Sequence, residues 1–149
     1  AKPLCEAAGV PLQLREGLKE LKYGAWEDRT PAYVQDHYDQ DYVSWMTEPA
    51  WNPPTGGETS FQIASRAEAV IAEIGETYAA GNVLVVSHKA TIRIILCSLL
   101  GIDLGRYRDR IEMPVASLSV IKFGRYGPML QRLGDRYHLP QALRDRAGT

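Results

Sequence analysis

The sequence predicts an α/β fold, with helices packed on both faces of a sheet. Three observations carry that expectation. Val83-Leu-Val-Val86 is a short, wholly apolar, β-branched run, the pattern of an inner strand covered on both sides. Long helical periodicities flank it. Short strand-like pieces stand before and after those helices, which is the alternation of a layered α/β domain. Of the 149 residues, 45% are hydrophobic and 23% charged, a globular composition. The length suits one domain.

The elements follow in order. Residues 12–14 and 18–22 read as short strands around a polar turn. Thr30-Pro31 starts a helix, with threonine as cap and proline where its missing N–H is harmless. That helix runs over residues 31–47 and carries Val34, Tyr38, Tyr42 and Trp45 at helical spacing. A Pro- and Gly-rich loop over 48–57 precedes Thr59-Ser-Phe-Gln62, a capping box. The helix beyond it extends to Ala79, with Phe61, Ala64, Ala67, Ile71, Ile74 and Tyr78 as its apolar face. Gly81-Asn82 breaks the chain before the Val83–Val86 strand. Ile92, Ile95, Leu96, Leu99 and Leu100 then mark a helix stopped by Gly101. Ser117–Phe123 and Pro128–Leu133 form a strand pair across Gly124-Arg-Tyr-Gly127. Gln141–Thr149 is polar and frayed.

Charge and composition exclude several classes. Lys and Arg number 17 against 18 Asp and Glu, for a net charge of −1, so a strongly basic nucleic-acid scaffold is excluded. No apolar run reaches the roughly 20 residues of a membrane span. Two distant cysteines, Cys5 and Cys97, read as reduced buried thiols of a cytoplasmic protein. The three histidines are scattered, and no His/Cys spacing fits a metal site. The even balance hides an asymmetry: residues 1–76 hold 6 basic and 13 acidic side chains, residues 77–149 hold 11 and 5. Either the surface is dipolar and solvated, or one half brings cations and the other carboxylates to a shared anion site.

Attention falls on the carboxyl end of the inner strand, where ligands bind in open α/β sheets. His88 stands there, at the start of a helix. The N–H groups of Lys89, Ala90 and Thr91 are unsatisfied at such a terminus and favour an anion. A histidine at that point can donate a ring N–H to a phosphate oxygen, with a structural histidine capping the strand end as the alternative; Arg93, one turn on, reads alone as a surface or interface arginine. Glu20 in Leu18-Lys-Glu-Leu-Lys-Tyr-Gly-Ala-Trp-Glu27 reads alone as a solvated or paired carboxylate. Glu27 and Glu58 read as loop carboxylates that brace a helix.

Together these pieces resemble a known family. Leu18-Lys-Glu-Leu-Lys-Tyr-Gly-Ala-Trp-Glu-Asp28 resembles the segment carrying the catalytic acid in the histidine phosphatase (phosphoglycerate mutase-like) superfamily. Gly56-Gly-Glu-Thr59 ahead of a long helix is similar to its GES element. Val83-Leu-Val-Val-Ser-His-Lys-Ala-Thr-Ile-Arg93 is similar to its second-histidine motif. The resemblance spans about residues 1–139 and implies a three-layer α/β/α sandwich over them, followed by a polar tail at 140–149.

The resemblance also implies a chemistry. A first histidine, in an Arg-His-Gly motif, takes the phosphoryl group as phosphohistidine. Arginines and a second histidine hold the phosphate oxygens, and a glutamate protonates the leaving alkoxide. By position His88 is the second histidine and Glu20 the acid/base. Lys89, Ala90, Trp26 and His138 take the substrate- and phosphate-binding places. No metal or other cofactor is implied, since arginines, imidazoles and a helix terminus supply the positive field. The implied activity is a phosphatase acting on a small metabolite: a sugar phosphate, phosphoserine or a phospho-acid. Mutase-type phosphotransfer and a non-catalytic phosphate-binding module are the alternatives.

No Arg-His-Gly occurs in this sequence. The resemblance therefore implies that the first strand, the nucleophile and the next helix precede residue 1, and that this segment is the chain's partner. An unpaired edge beside Val83–Val86 is then expected, open to aggregation or to pairing with a second copy as a homodimer.

Overall fold

The computed structural model describes residues 1–145. A short helix α1 (Lys2–Ala8) ends in left-handed Gly9. Helices α2 (Pro31–His37), α3 (Asp39–Thr47), α4 (Ser60–Thr77) and α5 (Lys89–Leu100) follow, then the single turn α6 (Tyr107–Arg110). Strands β1 (Leu118–Gly124) and β2 (Gly127–Asp135) and a last turn α7 (Gln141–Arg144) complete the order. Of the expected polar tail, residues 146–149 lie outside the described residues.

The caps form as their residue types require. Thr30 accepts from the Tyr33 amide. Thr59 and Gln62 make both bonds of the capping box that starts α4. The 31–47 helix, however, breaks at Tyr38, whose φ of −135° and ψ of 41° are not helical. The reason is tertiary: the Tyr38 ring sits 6.3 Å from Trp26, in a cluster with Tyr42 and Trp45. Asp39 then restarts the helix by accepting from the Gln40 amide at 2.6 Å.

The core lies between α4 and α5. Ile63 and Ala64 of α4 cluster with Ile94, Leu96 and Cys97 of α5, with Leu21, Tyr107, Ile111 and Met113 completing the cluster; Ala67 and Val70 of α4 and Ile95 of α5 are buried as well. Ile63 and Ile94 are fully buried, each worth about 1.5–3 kcal/mol of transfer free energy. Phe61 is a correction: it is 43% exposed and packs on Trp51 at 4.3 Å. At 100° per residue it points about 120° away from Ala67.

The sheet departs furthest from expectation. Residues 12–14 and 18–22 form no strand; Glu16–Leu18 is a 3-10 turn instead. Val83–Val86 has no strand partner among the described residues, and Val83, Leu84 and Val86 are exposed. The sheet that forms is the antiparallel β1–β2 hairpin, closed by Arg125-Tyr126. Between this hairpin, Val83–Val86 and the helices runs an open apolar groove of about 1180 Å³. Ile74 and Tyr78 continue the buried stripe of α4 but face this groove, which is why they stay accessible.

Candidate functional site

The loop bearing Glu20 is clamped onto α4 and α5. Gly17 packs so close to α4 that a Cβ there would lie 2.4 Å from the Arg66 carbonyl oxygen. The Arg66 guanidinium donates to the carbonyls of Gly17, Lys19 and Glu20 at 2.7, 2.9 and 3.2 Å. It also pairs with both Glu58 oxygens, at 2.9 and 3.0 Å. Glu58 accepts in turn from the Lys22 amide at 3.0 Å, and the Glu58 amide donates to the Lys22 carbonyl. Burial opposes ionisation of Glu58, but Arg66 and the Lys22 amide outweigh it and hold its carboxyl below the usual range. Glu58 thus braces a helix and the loop, as its sequence context indicates.

The same loop is stitched to the residues flanking His88. The Ser87 hydroxyl donates to the Leu18 carbonyl at 2.7 Å. The Thr91 hydroxyl, fully buried, donates to the Lys19 carbonyl at 2.7 Å. His88 lies between them as the N-cap residue of α5, with extended backbone and an exposed side chain. Its carbonyl accepts the first helical bond, from Ile92. The Glu20 carboxylate reaches the open amides of this helix: it accepts from Ala90 N–H at 3.3 Å and Thr91 N–H at 3.1 Å. The Leu21 amide and the Thr91 hydroxyl add bonds at 2.9 and 3.2 Å. An anion therefore already sits where the helix terminus favours one.

Beside Glu20 opens a recess of about 400 Å³. Tyr23 and Trp45 form one side, Lys89, Ala90 and Arg93 of α5 another, and Tyr107, Arg108 and Val115 the rest. Arg108 lies over Trp45, its Cζ 3.9 Å from the ring centroid, and donates to the Trp45 carbonyl at 2.7 Å. The Arg93 Nε is buried with no hydrogen-bond partner among the described residues. Burial pushes the Tyr107 hydroxyl up to about 12, with Arg108 opposing. Burial and then Glu20 raise Tyr23, against Arg108. Both phenols stay protonated donors at neutral pH.

The structure thus brings Glu20, Lys89 and Ala90 to one recess, with His88 at the helix start. Trp26 is buried one layer back, 5.5 Å from Trp45 in edge contact. His138 is exposed after β2, near Asp135 and not among the recess residues. His37 stacks on Tyr33 at 3.9 Å, away from the recess. Tyr23, Trp45, Tyr107 and Arg108 escaped sequence reasoning. Only the cationic bias of the second half hinted at Arg108, whereas the three-residue spacing from Ala90 marks Arg93 directly.

A family model described as the histidine phosphatase superfamily (branch 1) matches residues 1–136. The chain belongs to the histidine phosphatase superfamily. Phosphoserine phosphatase 1 of Hydrogenobacter thermophilus is 27% identical over 139 residues, covering 93% of this chain and 65% of that protein. The adenosylcobalamin/alpha-ribazole phosphatase of Escherichia coli is 29% identical over 92 residues, 62% of this chain and 45% of that protein. The chain thus spans less than two thirds of these relatives' length. Among solved structures, YhfR of Bacillus stearothermophilus superposes with a TM-score of 0.83 at 19% identity, over 91% of this chain and 67% of that one. The alpha-ribazole phosphatase of Shigella flexneri gives 0.77 at 22% identity, over 89% and 65%. These two likenesses show the phosphoglycerate mutase-like fold of the superfamily, in a chain whose own sheet is a hairpin. Among the described residues no helix is long and apolar enough to cross a membrane, and no group of three or more His, Cys, Asp and Glu side chains is placed to hold a metal ion.

Proposed function

We propose that this chain carries the acid/base and second-histidine part of a phosphomonoesterase site. The observation that carries the reading is the Glu20 carboxylate at the N-terminus of α5, directly after His88. A phosphate ester bound beside that carboxylate meets the His88 imidazole and the cations of α5 together, a positive field fixed before reaction. The named phosphatase relatives support the same activity.

The reaction runs in two steps. A histidine ring nitrogen attacks phosphorus, the P–O bond to the substrate oxygen breaks, and Glu20 gives that oxygen a proton. Water then attacks the phosphorus of the phosphohistidine, Glu20 takes the water's proton, the P–N bond breaks, and inorganic phosphate is released as the free imidazole is regenerated. The nucleophilic histidine comes from a partner segment that lies along Val83–Val86 and fills the apolar groove. The exposed Val83 and Val86, and the length of the Hydrogenobacter relative that lies outside the 65% matched, support that partner.

The test is turnover of a phosphomonoester panel with acid quenching and alkaline quenching compared, since a phosphohistidine survives base and not acid. His88→Ala and Glu20→Gln, in the chain joined to its partner segment, are expected to lower kcat about 10²–10⁴-fold with the unfolding midpoint unchanged. Near-normal turnover in both variants overturns the assignments.

A further inference from the structure

We infer that Thr91 is a positioning residue for the acid step: it holds Glu20 by its backbone and by its carboxylate together, so that one carboxylate oxygen is anchored and the other is left to deliver the proton. The inference deepens the phosphatase reading and rests on it.

The two oxygens of Glu20 are held unequally. Oε1 accepts from the Leu21 amide at 2.9 Å and the Thr91 amide at 3.1 Å, and lies 3.2 Å from the Thr91 hydroxyl. Oε2 accepts from the Ala90 amide alone among the described residues, at 3.3 Å. An oxygen already facing two N–H donors is a poor place for a proton, since that proton meets donors and no acceptor. The acid form of Glu20 therefore carries its proton on Oε2.

Thr91 also fixes the backbone on which Glu20 stands. A hydroxyl has one proton to give, and the short bond, 2.7 Å, goes to the Lys19 carbonyl, in the peptide that joins Lys19 to Glu20. Thr91 is fully buried in the first turn of α5, so the anchor is rigid. Ser87 makes a comparable stitch, 2.7 Å to the Leu18 carbonyl, but two positions before Glu20 and with no bond to its carboxylate. Valine has the shape of threonine, yet its methyl needs about 3.3 Å from a carbonyl oxygen, against the 2.7 Å of the hydroxyl bond. Thr91→Val thus pushes the Lys19 peptide aside by roughly half an ångström. Arg66 still holds that carbonyl at 2.9 Å, so the loop stays docked. Misplacing a reacting group by about 1 Å can cost about 10²-fold in rate.

The experiment compares kcat/KM for two esters in the chain joined to its partner segment. Benzyl phosphate releases an alkoxide and needs the acid. p-Nitrophenyl phosphate releases a stable anion and does not. Glu20→Gln is expected to slow benzyl phosphate far more than p-nitrophenyl phosphate. Thr91→Val should follow it, losing about tenfold on benzyl phosphate and no more than about twofold on p-nitrophenyl phosphate. Inhibition by inorganic phosphate should stay within about twofold, because no group that holds phosphate is touched. Thr91→Ser keeps the hydroxyl and should restore benzyl phosphate turnover to within about twofold of the parent. Ser87→Ala, which loosens the loop without touching the carboxylate, should change both esters by the same factor. Equal losses on both esters in Thr91→Val, no loss on either, or no rescue by Thr91→Ser each overturn the Thr91 assignment while a selective Glu20→Gln leaves the phosphatase reading standing. No hydrolysis of either ester by the parent, or equal losses in Glu20→Gln, overturns that reading and the inference with it.

Discussion

Arg66→Met is the sharpest test of how this site is held. Arg66 makes five hydrogen bonds, two to Glu58 and three to the carbonyls of Gly17, Lys19 and Glu20. Both side chains of the ion pair are 22% exposed. Breaking a buried pair from one side costs about 3–5 kcal/mol, and an exposed one contributes about 0–1 kcal/mol. This pair lies between, so a loss of about 2–3 kcal/mol is expected, most of it from leaving Glu58 and three carbonyls without their donor. In urea that moves the midpoint down by about 1 M, at an m value of about 2–3 kcal/mol/M. The pH dependence has a definite sign. The folded Glu58 carboxyl is lowered, so its contribution is present above the ordinary glutamate range and is lost as pH falls through the folded value. The gap between the two proteins should therefore be widest at neutral pH and narrow as pH falls below about 4, down to the part carried by the three carbonyls. Glu58→Gln in the Arg66→Met background should cost less than in the parent, a double-mutant coupling of about 1 kcal/mol or more. A midpoint shift under about 0.2 M, or strictly additive variants, would refute the clamp.

Two further outcomes follow from single positions. Gly24 has φ of +59°, and a Cβ there would lie 2.2 Å from the Thr55 carbonyl oxygen, so Gly24→Ala is expected to destabilise by about 2 kcal/mol or more. Gly75, with nothing near its missing Cβ inside α4, is the control: Gly75→Ala should stabilise by about 0.5–1 kcal/mol in the same urea melt, and like signs for the two would contradict the geometry. Burial pushes the Cys97 thiol up to about 11, while Cys5 is partly accessible. Iodoacetamide at pH 8 should therefore modify Cys5 first in the native protein and both in urea, read by peptide mass; equal native rates would count against a buried Cys97.

Much of the local structure is legible from residue types alone. Thr30-Pro31, Thr59/Gln62 and Gly101 mark helix ends because caps are satisfied by neighbours three or four residues away. The hairpin register from Ile121 to Gly124 is likewise local, set by the short Arg125-Tyr126 connection, before it shifts between Leu118 and Ile121. Where partners are distant, the sequence misleads. Tyr38 has helical spacing, yet its ring is claimed by Trp26 and the helix breaks. Val83–Val86 has the composition of an inner strand, yet a strand needs a hydrogen-bonded neighbour, and no described residue supplies one.

The site divides the same way. Sequence by itself determined the family and the helix terminus after His88, because those signals are contiguous motifs. Only the tertiary structure decided that Glu20 lies on the Ala90 and Thr91 amides, that Arg66 ties its loop down, and that Arg93 and Arg108 share one recess with two phenols. The hydrogen bonds among those contacts join residues 46 to 71 positions apart, and spacing along a chain carries no information about which distant side chains a packed core will bring together.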